Sequence, residues 1–217
     1  MPEGLTIIFD LDGTLSNPQE GIIRSINFAL EKLGKDPRPE KALTRFIGPP
    51  LKEIFSYLLD TYDDDFLMKA IGLFRQRYFS VGYRENRLYN GILDLLIQLN
   101  NEGSHLYIAT TKREDIASKV AEYLGIKGYF KGIFGCDLDT PKAKVLRNIL
   151  SIEGKRKTSA FMVGDRKTDM EAASAVRVRT VGVNWGFGSP SELSFAEVAV
   201  DSPLELSRFF RSENERD

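Results

Sequence analysis

The sequence has one cysteine, one histidine and one tryptophan in 217 residues. A single thiol, Cys136, excludes an internal disulfide; it fits a reducing compartment and reads as a small buried apolar residue. The lone histidine, His105, stands at the start of a strand pattern. A histidine in that place reads as non-catalytic, and no other could fill the part, which argues against a histidine phosphatase or a Ser-His-Asp hydrolase; histidine-ligated zinc is equally poorly supported. Neither sign of charge prevails, at 30 basic against 31 acidic residues. No long-range field therefore marks a nucleic-acid binder or an anionic-membrane binder. No apolar run approaches the length of a membrane span. The opening "MPEGLTIIFD" has neither the basic, the apolar nor the cleavage region of a signal peptide. The expectation is a cytoplasmic chain with no nucleic-acid and no membrane partner. Internal repeats and low-complexity tracts are also missing; only "RSENERD" reads as a frayed tail.

What the chain does have is apolar content, 42% of its residues, in an ordered pattern. Thr6–Phe9 reads as a buried strand. From about residue 90 onward, short β-rich runs alternate with helix patterns: strand His105–Thr110, helix 113–125, strand Gly132–Gly135, helix 141–150 with Pro141 in its first position. Strand 159–165, helix 166–175, strands in "VRTVGV" and "AEVAVD", and the helix "PLELSRFF" complete the series. Such alternation predicts an α/β, Rossmann-like parallel sheet with helices on both faces. Residues between Leu15 and about Arg87 break it with three helical patterns and no convincing strand. The economical division is a core of residues 1–15 and 86–217 with a helical cap, residues 16–85, inserted after the first strand.

Two aspartates, Asp10 and Asp12, close the first strand, with Gly13 following to let the chain turn. In an open α/β sheet that edge is where ligands bind. Close carboxylates repel, which favours a bound cation or a shared proton. A hard divalent ion such as Mg2+ suits an all-oxygen set. A second apolar strand ends in Asp165, and Asp169 follows within the next helical turn.

These segments resemble the haloacid dehalogenase-like hydrolase superfamily. "DLDGTL" matches its first motif, Thr110 of "IATTK" its second, a lysine of "PKAKVL" its third and "GDRKTD" its fourth. The stretches "EGIIRSINFALEKLG", "FIGPPL" and "ENRLYNGI" look most like the phosphoglycolate phosphatase-like branch. The resemblance implies a magnesium-dependent phosphatase acting on a small phosphorylated metabolite through an aspartyl-phosphate. It makes Asp10 the nucleophile and Asp12 the proton donor and acceptor. It places Mg2+ on Asp10, the Asp12 carbonyl and Asp165, with Asp169 supporting that shell. Gly13, Thr110 and the N–H of Thr111 would meet the phosphate.

The third motif departs from the usual Lys-Pro order, since here the proline precedes Lys142. Lys142 is the expected partner of Asp10 and the phosphoryl group, with Lys144 the alternative and Lys112 a bystander. The family's cap loop implies that Arg45, Gly48 and Lys52, around the turn Gly48-Pro49-Pro50, take part in substrate choice; Arg24 is a weaker candidate. Two other functions stay open at this point. A phosphomutase would use the same carboxylates, and a non-catalytic binding module could be built on the same scaffold. A dehalogenase is disfavoured because that branch lacks the second aspartate of the pair. The oligomeric state is not legible.

Overall fold

A computed structural model describes residues 4–136, 140–154 and 160–215. Ser159, read above as the start of a strand, lies outside the described residues. The chain runs β1 (Thr6–Phe9), β2 (Ser16–Asn17), α1 (Gln19–Lys32), α2 (Glu40–Leu43), α3 (Leu51–Leu59), α4 (Asp64–Tyr78) and β3 (Arg87–Leu88). It continues with α5 (Ile92–Asn101), β4 (His105–Thr110), α6 (Glu114–Tyr123), β5 (Gly132–Gly135), α7 (Lys142–Glu153) and β6 (Ala160–Gly164). Then come α8 (Lys167–Ser174), β7 (Arg179–Val183), α9 (Pro190–Leu193), β8 (Val198–Val200) and α10 (Pro203–Asn214). The chain divides into two compact units, Met1–Asn17 with Leu88–Asp217, and Pro18–Arg87.

The larger unit holds a six-stranded sheet of order β5-β4-β1-β6-β7-β8, parallel throughout. The strands of such a sheet are covered on both faces and so read as unbroken apolar runs. Ile7, Ile8 and Phe9 have no exposed surface. Alternate residues serve opposite faces. Ile8, Tyr107, Ala109 and Met162 join Val145, Leu146 and Ile149 of α7 and Ala172 and Ala173 of α8 in one cluster. The Phe161 ring meets Phe209 and Phe210 of α10 edge-on, at centroid distances of 5.7 and 5.3 Å. At the start of the sheet, Glu153, the last residue of α7, accepts hydrogen bonds from Thr6 (3.3 Å) and Tyr107 and contacts His105 Nδ1 at 2.7 Å. His105 thus ties a helix end to the sheet.

Register determines where the functional groups emerge. Phe9 pairs with Ile108 on one side and Val163 on the other. Asp10, Thr110 and Asp165 therefore reach the same carboxyl edge within one or two residues of the pairing. Because β1 has β4 and β6 on either side, this edge is also the point where the strand order reverses, which is where ligands bind in sheets of this kind.

The smaller unit is helical. Phe74 stacks on Tyr78 at 5.4 Å and meets Phe55 edge-on at 6.3 Å. A Cβ on Gly21 would overlap the Gly82 carbonyl, so α1 approaches that segment only as glycine permits. The Glu85 carboxylate accepts two hydrogen bonds from Arg77 and one from Arg24, at 2.8 to 2.9 Å. The Arg77 bonds, aided by Arg24, hold the Glu85 carboxyl below its ordinary range despite partial burial.

Three details differ from the sequence reading. Helix α5 has no strong start signal: Gly91, at its N-cap, has φ +87° and no capping side chain. Pro141 precedes the first helical residue with ψ 138° instead of occupying it. The tail is helical to Asn214, not frayed, because Phe210 and Glu213 are buried and Glu213 pairs with Arg179. Leu146 has no exposed surface within the α7–α8 cluster. Leu146→Ala should destabilise the protein by roughly 2–5 kcal/mol. In a thermal melt that is a fall of about 5–15 °C.

Candidate active site

Four aspartates reach the carboxyl edge, and each meets different partners. Asp10 follows β1 directly, its N–H donating to the Val163 carbonyl at 2.9 Å. One carboxylate oxygen each from Asp10, Asp165 and Asp169 lie within 4.8 Å of one another, and all three residues are buried. Lys142, the first residue of α7, enters this group. Its ammonium donates to Asp10 Oδ1 at 2.6 Å and to Asp169 Oδ1 at 2.5 Å. Lys144, two residues on, is exposed.

Asp169 uses its other oxygen to cap α8, accepting the Arg166 N–H at 3.0 Å. Asp165 accepts from the Thr14 hydroxyl at 3.3 Å and from the Phe187 N–H at 2.8 Å. Gly13, at φ +95°, lies against the Asp165 carboxylate, and any Cβ there would overlap it.

Asp12 stands apart from the three-acid cluster. The chain curls after Asp10, with the Leu15 N–H donating to the Leu11 carbonyl at 3.0 Å and the Gly13 N–H to that of Ser16 at 2.8 Å. Asp12 Oδ2 pairs with Lys112 at 2.7 Å, while its Oδ1 is buried without a partner among the described residues. Lys112, read as a bystander from sequence, is therefore part of the constellation. It adjoins Thr110, whose side-chain oxygen accepts the Lys112 N–H at 3.2 Å. Thr110 is buried and Thr111 exposed.

The remaining expected positions belong to the helical unit. The Arg45 guanidinium lies over the rings of Phe46 and Tyr57, at 4.8 and 4.6 Å. Lys52 pairs with Asp64 at 2.9 Å, and Gly48 has φ +111°. Arg24 is engaged by Glu20 and Glu85, both at 2.8 Å.

The electrostatics of the cluster suit a cation. Three carboxylates share one ammonium, leaving two negative charges unmatched, and the donors are hard oxygens of the kind a divalent magnesium ion prefers. Burial, reinforced by Asp169 and Asp165 and opposed by Lys142, pushes Asp10 up to about 8. Burial and then Asp169 push Asp165 up to about 6, with the Phe187 N–H and the two nearby cations pulling the other way. Burial works against the Lys142 charge, but Asp10 and Asp169 outweigh it and hold the ammonium above its ordinary value. A divalent ion among the acids would restore their ionised forms.

A parallel sheet that gathers aspartates and a lysine at its switch point defines a class of phosphate-handling α/β proteins. The chain matches the haloacid dehalogenase-like hydrolase family over residues 7–183 and belongs to that family, as an enzyme of its phosphatase type. It is 41% identical over 192 residues to a 5'-nucleotidase of Pseudomonas aeruginosa, covering 86% of each chain. Over 187 residues it is 36% identical to the tyrosine-protein kinase PtkA of Mycobacterium tuberculosis, covering 84% of this chain and 62% of that protein. The crystal structure of a predicted phosphatase from Clostridium acetobutylicum superposes with a TM-score of 0.88 at 32% identity, covering 96% of this chain and 99% of that one. No helix among the described residues is long and apolar enough to cross a membrane.

The raised carboxyls carry a sign for stability. Burial raises the Asp10 carboxyl to about 8 and that of Asp165 to about 6, from an ordinary 3.8, so at these two positions the folded chain holds more protons than the unfolded one. Stability contributed by those protons is present at acid pH and is lost as pH rises through the raised values. Without divalent metal, the melting temperature should therefore fall from about pH 4 to pH 8, and Asp10→Asn should flatten the fall. Melts in a chelator across that range check this; equal slopes for the two proteins would refute it.

Proposed function

We propose that the protein is a magnesium-dependent phosphomonoesterase that works through a phosphoryl group carried on Asp10. One observation carries the reading: Asp10, at the end of β1, shares a buried cluster with Asp165 and Asp169, and Lys142 bridges two of the three.

The roles are those that the family's motifs imply, and the partners described above are compatible with them. A carboxylate oxygen of Asp10 forms a bond to phosphorus as the bond from phosphorus to the leaving oxygen breaks. Asp12 gives its proton to that leaving oxygen and takes one back from the water that cleaves the acyl phosphate. Its unpartnered buried Oδ1 is the atom available for this, with Oδ2 held by Lys112. Lys142 draws negative charge from Asp10 and the incoming phosphoryl group. The Thr110 hydroxyl, the Thr111 N–H and the turn at Gly13 receive phosphate oxygens. Asp10, the Asp12 carbonyl and Asp165 would hold magnesium, with Asp169 in support; the bound ion would offset repulsion between nucleophile and phosphate dianion.

For the substrate, the 5'-nucleotidase name of the Pseudomonas relative favours a nucleoside 5′-monophosphate. The branch legible in the sequence favours a phosphoglycolate-like monoester. Arg45, Gly48 and Lys52 are the positions proposed to distinguish the two. The kinase name of the mycobacterial relative supports a second reading, in which a hydroxyl takes the place of water as acceptor.

Phosphate release from AMP, phosphoglycolate and a tyrosine phosphate, with and without magnesium, tests the proposal. Magnesium-dependent release from at least one, abolished in Asp10→Asn, is expected. A wild-type protein inert toward all three with magnesium would reject hydrolysis. Lys112→Ala should lower kcat by up to about 10²-fold, the lower end of what a positioned general acid–base contributes. Steady-state kinetics read that loss, and an unchanged kcat would remove Lys112 from the proton-transfer machinery.

A further inference from the structure

The segment Trp185–Gly188 lies in the glycine-rich stretch "VGVNWGFGSPSEL", and its glycines allow close packing. A Cβ on Gly186 would overlap the Asp165 side chain and lie 2.5 Å from the Gly13 carbonyl; on Gly188 it would overlap the Asp165 carbonyl. Neither glycine has a positive φ among the described residues, so close approach is what the missing side chain permits.

Hydrogen bonds close a circuit around the same aspartate. The indole N–H of Trp185 donates to the Thr14 carbonyl at 3.0 Å. The Thr14 hydroxyl donates to one oxygen of Asp165, and the Phe187 N–H to the other. Arg166 Nη1 donates to the Phe187 carbonyl at 2.9 Å, fixing the peptide that makes the second bond. Three chain segments far apart in sequence, at residues 13–14, 165–166 and 185–188, are thus locked on one carboxylate.

Such enclosure answers a physical need. Lys142 steadies Asp10 and Asp169 directly, whereas the hydrogen bonds to Asp165 come from an uncharged hydroxyl and an uncharged N–H. Repulsion from the other two carboxylates would turn an unrestrained Asp165 outward. We propose that the Trp185–Gly188 loop is a positioning device that holds Asp165 toward Asp10 and Asp169 before a cation arrives, with Trp185 as its tie. The inference rests on the reading of these acids as a magnesium site. Groups that orient a metal ligand typically alter metal affinity by about 10- to 100-fold when removed.

Trp185→Phe keeps an aromatic ring and deletes the donor; Gly186→Ala pushes on Asp165 itself. Magnesium is titrated calorimetrically into the metal-free wild type and both variants. Trp185→Phe should bind magnesium about tenfold more weakly, and Gly186→Ala more weakly still. At saturating magnesium, kcat of Trp185→Phe should stay within about twofold of wild type. Trp185 is the one tryptophan of the chain. Its emission should therefore change with magnesium at the calorimetric midpoint, and the change should vanish in Asp165→Asn. Wild-type magnesium affinity in both variants, or loss of thermal stability with affinity unchanged, would overturn the positioning role. A wild type that binds no magnesium at all would overturn the cation reading and this inference with it.

Discussion

The contact on which the site depends is the ammonium of Lys142, wedged between Asp10 and Asp169. Removing one partner of a buried pair leaves a charge uncompensated, a far larger penalty than the pair's net value. Here the imbalance is already present, because Asp165 adds a third carboxylate beside the two that share the Lys142 ammonium. The folded chain therefore holds an electrostatic tension that two things can relieve: protons taken up by Asp10 and Asp165, or a divalent ion. On the proposed reading of Asp10 as nucleophile, a proton would silence it and a metal would free it, so occupancy of the cluster would control its reactivity.

Sheet register makes this tension possible at low backbone strain. A central β1 flanked by β4 and β6 brings Asp10, Thr110 and Asp165 to one edge without unusual backbone at any of the three. The unusual conformation sits at Gly13, where the turn presses against Asp165. Both ends of α7 are then fixed: Lys142 is buried among the acids at its start, and Glu153 bonds to β1 and β4 at its end. The helix that delivers Lys142 to the cluster is anchored at both edges of the sheet.

The parts of this architecture legible in the sequence were those written in consecutive residues. "TIIFDLD" and "FMVGD" announce buried strands that end in acid, because an apolar run stopping at a carboxylate has few other physical meanings. Lys142 was legible only through the order of motifs, since an isolated lysine is ordinarily a solvated charge. Helix α5 was missed: six of the ten residues in "ILDLLIQLNN" are apolar and leave no clear polar face, and glycine stands where a capping side chain would have marked the start. The continuation of α10 depends on Arg179, which lies on another strand and so leaves no local trace. Lys112 and Trp185 were illegible for the same reason. Each acquires its meaning from a residue that folding alone brings near it, Asp12 for one and Thr14 for the other.

Four aspartates with the same intrinsic chemistry end up in four environments, and this difference divides the labour among them. Asp10 faces a lysine yet is buried beside two like charges, which leaves it sensitive to whatever cation is present. Asp169 spends one oxygen on that lysine and the other on the start of α8, so both of its acceptor sites serve to hold other groups. Asp165 is gripped by neutral donors and glycine backbone, which fix its direction without cancelling its charge. Asp12, outside the cluster, is held on one oxygen and has no partner for the other among the described residues. Titratable groups of one type whose surroundings differ are how a single site can hold distinct chemical roles. The same residue type can fill all of these posts because its neighbours, and not its side chain, decide which one it occupies.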